Sequence, residues 1–191
     1  MAVQECSMNK TLYLFGGSNG AGKTTFAKAY LTLISPLPRF LNADEIARGL
    51  SPLDPTRMSV SAGKLLLHEV DGCLSKGDSF GLESTLSGTS HMKLLHKAKA
   101  IGYRIELHYL WLPSPELAIR RIAQRVKKGG HFIPENDVRR RFKRSLSNFI
   151  NLYAELADSW IFRDNTKQSA SLLFDSGSAS LPEVESFLKK K

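Results

Sequence analysis

The segment that most restricts this chain is "GSNGAGKT", Gly17 to Thr24, which begins one residue after the apolar run "TLYLF". Three glycines, a lysine and a threonine within eight residues make a poor strand and a poor helix start unless something fills the space they leave. The apolar run before it has the length of a short buried strand. After it, "KTTFAKAYLTLI" places Phe26, Ala29, Tyr30, Leu33 and Ile34 at helical spacing. The order is therefore strand, glycine loop, helix.

Gly17-x-x-x-x-Gly22-Lys23-Thr24 is the P-loop pattern, and each fixed position has a physical reason. Glycines let successive backbone N–H groups turn inward and form a concave anion nest. The helix that begins near Lys23 adds the positive end of its dipole to the same spot. Residues Gly17, Ser18, Asn19, Gly20, Ala21, Gly22, Lys23, Thr24 and Thr25 are thus expected to hold a nucleotide phosphate chain. Lys23 is expected to reach the β and γ phosphates, and the Thr24 hydroxyl to ligate Mg²⁺.

Composition sets the outer limits. At 191 residues the chain is long enough for one domain with a real core, read here as a single domain over 1–191. No apolar run approaches the ~20 residues that span a bilayer, so no membrane segment is expected. The start "MAVQECSMNK" lacks a basic region followed by an apolar one, which points to the cytoplasm. Cys6 and Cys73 make neither a disulfide framework nor a metal cluster, and both suit a reducing compartment.

The formal net charge is +9, and ten of the 27 basic residues fall between Arg120 and Arg144. Such concentration suits a local polyanion better than a uniformly basic surface does.

Strands alternate with helices almost throughout. "PRFLN", "SFGLEST" and "YRIELHYLWL" read as strands, with one or two more in "DSWIFRDNT" and "LLFDSG". Asp54-Pro55 and Ser114-Pro115 read as helix starts, the first helix running to about Leu74 and the second to about Lys128. A further helix is expected from Asp137 to about Leu156, and Ser180 with Glu183 forms a capping box for a last one. This alternation predicts an α/β fold, a mostly parallel sheet with helices on both faces, of P-loop kinase type. Ligands then sit beyond the carboxyl ends of the strands.

Two acids follow strands. Asp44, in "LNADE", is a candidate to accept the proton of an attacking hydroxyl, or else a cap for the helix after it. Glu83, ending "GLE", is expected to orient the acceptor or to ligate Mg²⁺ through water. Its neighbours Ser84 and Thr85 are expected either to bond an acceptor or to satisfy the amino end of the next helix.

The basic segment 115–150 is expected to form a helical lid. Ile119, Ile122 and Val126 make an apolar stripe, while Arg121, Arg125 and Lys128 share another face. After "GGHFIPEN", Val138, Phe142, Phe149 and Tyr153 make a second stripe flanked by Arg141 and Arg144. Basic helices joined at Gly-Gly can close over phosphates, exclude water and place arginines on developing charge. His131 in the joint suits lid packing more than catalysis.

Strands that could carry a Walker B aspartate end instead in "LEST" and "YLWLPS", and no "NKxD"-like guanine signature is present. Kinases of small molecules and nucleotides, which use a lid, fit this pattern.

With these pieces placed, the chain resembles the zeta toxin-like kinases. The resemblance lies in "GGSNGAGKTTFA", "FLNADEIARGLSP", "SFGLESTLSG", "GYRIELHYLWL" and "RVKKGGHFIPENDVRRRFKRSL", over roughly residues 11–165. It implies that Lys23 and Thr24 bind ATP and Mg²⁺, that Asp44 accepts the proton, that Glu83 contacts the acceptor and that Arg125 and Arg141 are lid arginines. Arg121, Arg140 and Arg144 are the alternatives for those two. The characterised toxins it is similar to phosphorylate UDP-N-acetylglucosamine on a sugar hydroxyl. An antitoxin-like protein partner is implied in the same way, with no sign of it in the sequence.

The leading expectation is an ATP-dependent kinase acting on a hydroxyl of a small anionic acceptor. One rival is a polynucleotide 5′ kinase or an ATP-regulated RNA binder, motivated by the charge but weakened by few aromatic residues in the basic segment. Another is an ATP-binding switch that transfers nothing.

Overall fold

The computed structural model describes residues 10–130, 132–167 and 169–190. Cys6, His131 and Lys191 lie outside the described residues.

The glycine loop is preceded by β1 (Thr11–Gly16) and followed by α1 (Lys23–Leu31). Next come β2 (Arg39–Leu41), α2 (Ala43–Leu50), a 3₁₀ turn at Pro55–Met58, α3 (Ser59–Lys76) and β3 (Phe80–Glu83). The chain continues through α4 (Met92–Ala100), β4 (Arg104–Trp111), α5 (Pro115–Lys127) and α6 (Glu135–Asn148). A π-helical turn at Phe149–Tyr153, α7 (Ala154–Leu156), β5 (Ser159–Asp164), β6 (Ser171–Asp175) and α8 (Leu181–Leu188) complete it.

Among the described residues, six strands form one sheet in the order β2-β3-β1-β4-β5-β6. All neighbours are parallel except β6, which runs antiparallel to β5. Parallel pairing needs a crossover of a dozen or more residues, and the short link between β5 and β6 allows only a hairpin. The alternation along β1 shows how both sheet faces are covered. Leu12 and Leu14 pack with Leu66 and Val70 of α3 and Leu95 and Ala98 of α4. Phe15 turns the other way, onto Ala27 and Leu31 of α1.

Two helices differ from their sequence reading. The helix expected from Pro55 opens as the separate 3₁₀ turn, with Asp54 Oδ1 accepting from the Arg57 N–H at 3.4 Å. The helix expected through Leu156 breaks into a π turn at Phe149. An inserted residue rotates the helix face, so the second apolar stripe is shared between two clusters. Val138 and Phe142 pack beside α5, whereas Phe149 and Tyr153 enter the main core, where the Tyr153 hydroxyl donates to the Gly88 carbonyl at 2.6 Å.

A polar group also lies deep in the core. His108, on β4, is fully buried, stacks on Phe15 and bonds Glu106 through Nε2 at 2.8 Å. Burial pushes its pKa down against the raising effect of Glu106 and with the lowering effect of Arg163. His91 is shifted the same way by burial. The unfolded chain takes up protons at these histidines near pH 6.5, before the folded one does. Stability is therefore expected to fall as pH drops below about 6.5, read as a declining melting temperature between pH 7 and 5. A His108→Gln variant should show a shallower decline, and an equal slope would remove His108 from the account.

Candidate active site

The glycine loop is shaped by close neighbours, backbone and side chain. Gly17, at φ +140°, sits where a Cβ would lie 2.5 Å from the Leu110 carbonyl oxygen. Gly22, at φ +84°, takes the left-handed conformation at the head of α1, and a Cβ there would lie 2.5 Å from Asn165 Nδ2. Ser18, Asn19, Ala21 and Lys23 are buried, and Asn19 Oδ1 has no hydrogen-bond partner among the described residues.

A cavity of about 520 Å³ opens over this loop. Lys23, Thr24 and Thr25 line it from α1, Glu83 from β3, Arg121 and Arg125 from α5, and Asn165 and Lys167 from the β5–β6 link. The carboxyl ends of β1, β3 and β5 thus meet at one edge, as an open α/β sheet requires.

Glu83 is the hub of this edge. Its Oε2 accepts from the Thr24 hydroxyl at 2.8 Å and from Asn42 Nδ2 at 2.7 Å, while Oε1 lies 3.7 Å from Lys23 Nζ. The Lys23 ammonium donates to the Ser18 carbonyl at 3.0 Å. Burial lowers the Lys23 pKa below the ordinary lysine value, with Arg125 adding to the effect and Glu83 and Asp44 opposing it. The amine therefore feels Glu83, Asp44 and Arg125 at once.

Asn42 also settles what caps α2. Its Oδ1 accepts from the N–H groups of Asp44 at 2.8 Å and Glu45 at 3.2 Å. The cap is Asn42, so the Asp44 carboxylate is left to face elsewhere. It lines a second cavity, of about 750 Å³, between α2, the 3₁₀ turn, the α5–α6 link and the first turns of α6. Arg48, Leu53, Phe132, Asp137 and Arg141 line the same cavity. A third space of about 390 Å³, lined by Arg48, Arg121, Arg125 and Lys128, shares residues with both.

Arg125 and Arg141 divide between these spaces. Arg125 lines the glycine-loop cavity, Arg141 the Asp44 cavity, so they do not meet at one point. The run Arg139-Arg140-Arg141 separates by partner: Arg139 pairs with Glu116 at 2.5 Å and Arg140 with Asp137 at 2.7 Å. No ion pair among the described residues engages Arg141 or Arg48. Arg144 is exposed and lines none of the three spaces. Arg121 donates to the Thr166 carbonyl at 2.9 Å, tying α5 to the β5–β6 link. Gly130, at the end of α5, donates to the Arg125 carbonyl at 2.9 Å, and Gly129 takes φ +81°.

The three residues at the end of β3 have different surroundings. Glu83 lies against Thr24 and Asn42, on the glycine-loop side. Ser84 is buried, with Oγ accepting from the Leu86 N–H at 3.1 Å and lying 3.2 Å from His91 Nδ1. Thr85 Oγ1 bonds Ser87 Oγ at 2.8 Å. Both hydroxyls bond within the turn into α4, the second of the two tasks expected of them, and line neither large cavity. A polar chain leaving a strand has orphan backbone groups to satisfy, and the nearest hydroxyls take that task.

The Thr24 hydroxyl and Glu83 carboxylate suit Mg²⁺, a hard cation that takes one or two protein oxygens and completes its shell with water and phosphate. No group of three acidic, histidine or cysteine residues among the described residues is placed to hold a metal ion by itself.

Sequence reading missed Asn42, Arg48 and Asn165. Asn42 and Arg48 stand in the stretch "NADEIAR", where attention went to the acid. Asn165 follows β5, and the rule that sites lie beyond strand carboxyl ends was the signal available for it.

A mostly parallel sheet between helices, with a phosphate loop joining β1 to α1 and basic helices beside it, defines the P-loop kinase type of α/β fold. The sequence profile of the AAA domain family matches residues 12–150 of the chain, which belongs to that family. An uncharacterized protein of Haemophilus influenzae is 31% identical over 134 residues, 70% of this chain and 93% of that protein. In fold the chain is similar to a structure of the PezAT toxin–antitoxin system of Streptococcus pneumoniae, with a TM-score of 0.72 at 18% identity. That match covers 96% of this chain and 85% of the other. The AvrRxo1-ORF1:ORF2 structure with ATP is similar at a TM-score of 0.68 and 19% identity. The match covers 96% of this chain but only 64% of the AvrRxo1 chain. No helix among the described residues is long and apolar enough to cross a membrane.

Proposed function

We propose that this protein is an ATP-dependent kinase that transfers the γ-phosphoryl group to a hydroxyl of a small anionic acceptor. The observation that carries the reading is the pair of cavities. One is floored by the glycine loop and the other holds the Asp44 carboxylate, and a cationic space lined by Arg48, Arg121, Arg125 and Lys128 joins them. A donor seat, an acceptor seat and a positive bridge are what phosphoryl transfer needs, because its catalysis is mostly positioning and charge stabilisation.

In this reading the loop amides and Lys23 hold the β and γ phosphates, and Thr24 with Glu83 holds Mg²⁺, which neutralises phosphate charge when bound. Asp44 accepts the proton as the acceptor oxygen bonds to phosphorus and the bond to the ADP oxygen breaks. Arg125 steadies the group in transit from the donor side. Arg141 and Arg48, facing the Asp44 cavity without an ion-pair partner, bind an anionic part of the acceptor, so the two lid arginines have separate tasks. Segment 115–150 is the lid of a single 1–191 unit.

The zeta toxin-like motifs support a UDP-sugar such as UDP-N-acetylglucosamine as that acceptor. The likeness to a toxin–antitoxin structure supports an antitoxin-like protein partner. A cytoplasmic setting suits an enzyme that uses ATP and keeps Cys73 as a buried free thiol.

The test is transfer of labelled γ-phosphate from ATP and Mg²⁺ to a panel of UDP-sugars, sugars, nucleosides and oligonucleotides, with Lys23→Ala as control. Label on a UDP-sugar that vanishes in the control is expected. Label on oligonucleotide 5′ ends would replace this acceptor by nucleic acid, and ATP binding with no product on any hydroxyl would favour a switch.

A further inference from the structure

We propose that Asn165 is a positioning residue for the phosphate loop: its side-chain amide holds the Ala21–Gly22 peptide in the orientation that presents the Gly22 N–H to phosphate. The proposal rests on the kinase reading only in taking a nucleotide phosphate chain as the ligand.

Asn165 follows the last residue of β5 and is itself anchored, its N–H donating to the Trp111 carbonyl at the end of β4 at 3.0 Å. From there its Nδ2 donates to the Ala21 carbonyl at 2.6 Å, a buried bond across 144 residues of sequence. The amide fills the place that a side chain at Gly22 would take, since a Cβ there would lie 2.5 Å from Nδ2. The missing side chain of Gly22 and the presence of Asn165 are thus two halves of one fit.

The bond acts on a joint that is otherwise free to turn. In a trans peptide the N–H points opposite to the C=O, so fixing the Ala21 carbonyl fixes the Gly22 N–H. Glycine accepts positive and negative φ about equally, so Gly22, at φ +84°, offers little resistance to a flip of that peptide. A flip would exchange an N–H for a carbonyl oxygen in the anion nest, replacing attraction for phosphate with repulsion. A donor held on the rigid sheet edge opposes the flip before any ligand arrives.

Asn165 also lines the glycine-loop cavity, so a direct contact with the base of the nucleotide is the rival explanation. The experiment separates the two. Binding of ATP, GTP and inorganic tripolyphosphate, each with Mg²⁺, is measured by calorimetry for the wild type, Asn165→Leu and Asn165→Ala. Leucine keeps the approximate shape without the donor, and alanine leaves room for a water to replace it. Loss of one such bond is expected to weaken all three ligands by a similar factor, roughly tenfold for leucine and less for alanine. Losing a buried bond should also lower the melting temperature of the ligand-free protein by a few degrees, so affinities are compared where every variant is folded, and in transfer assays KM for ATP should rise more than kcat falls.

Weaker binding of ATP but unchanged binding of tripolyphosphate would overturn the proposal in favour of base contact. Unchanged affinity with a lower melting temperature in both variants would make Asn165 merely structural. If the wild type binds ATP and the variants match it, the positioning role fails while the kinase reading stands. If the wild type binds none of the three, both fail together.

Discussion

Asp44→Asn is expected to slow phosphoryl transfer by about 10²- to 10⁴-fold at saturating ATP and acceptor, the range general-base catalysis contributes. The substitution keeps shape and removes only the basic oxygen. The fold leans on that oxygen only through its charge, at the first turn of α2 and at a distance from Lys23: Asn42 caps the helix, and the Asp44 carboxylate makes no hydrogen bond or ion pair among the described residues. The melting temperature should therefore stay near the wild-type value, as for other exposed substitutions away from special features. KM for ATP should change little, because the glycine-loop cavity does not include Asp44. A wild-type rate in this variant would remove Asp44 as proton acceptor and turn attention to Glu83, the other acid at the sheet edge.

The second large effect belongs to Lys23. Lys23→Met should lower turnover by about 10²- to 10³-fold, the loss that follows removal of one pre-placed donor from a site of developing charge. The same change should alter stability only modestly, because shedding a desolvated charge offsets loss of the bond to the Ser18 carbonyl and of the contact with Glu83. Burial holds the folded pKa of Lys23 below its unfolded value, so its ammonium is a net cost to folding at neutral pH, relieved only as pH rises through the folded pKa. Methionine keeps the straight chain and removes the charge. Glu83 retains its bonds from Thr24 and Asn42. The measurements are a melting curve and a transfer assay on the same preparation. Loss of transfer with only a modest change in melting temperature would fit a phosphate ligand, whereas a joint collapse would make Lys23 a structural cation.

Both predictions draw on a site whose parts were unequally visible in advance. The glycine loop was legible because its chemistry is local: eight consecutive residues must bend, expose amides and start a helix, and few sequences can do so. The strands and helices that carry it were legible through their periods and caps, such as Ser114 with Pro115, whose hydroxyl accepts from the Leu117 N–H at 3.3 Å. Asp44 could be named because it follows a strand. Its freedom from the capping task could not, since Asn42 and Asp44 are both good caps and only the backbone geometry chooses between them.

What the sequence determined by itself is the class of fold and the phosphate seat, because both follow from short-range patterns of burial, turn chemistry and backbone freedom. Tertiary structure decided everything that depends on which distant segments meet. It placed Glu83 against Thr24 and Asn42, 59 and 41 residues away. It turned Ser84 and Thr85 to the chain's own needs, sent Arg125 and Arg141 to different cavities, and brought Asn165 to the Ala21 carbonyl. A hydrogen bond needs its two atoms within about 3 Å, and the distance between residues remote in sequence is set by the packing of the sheet, which no local pattern encodes.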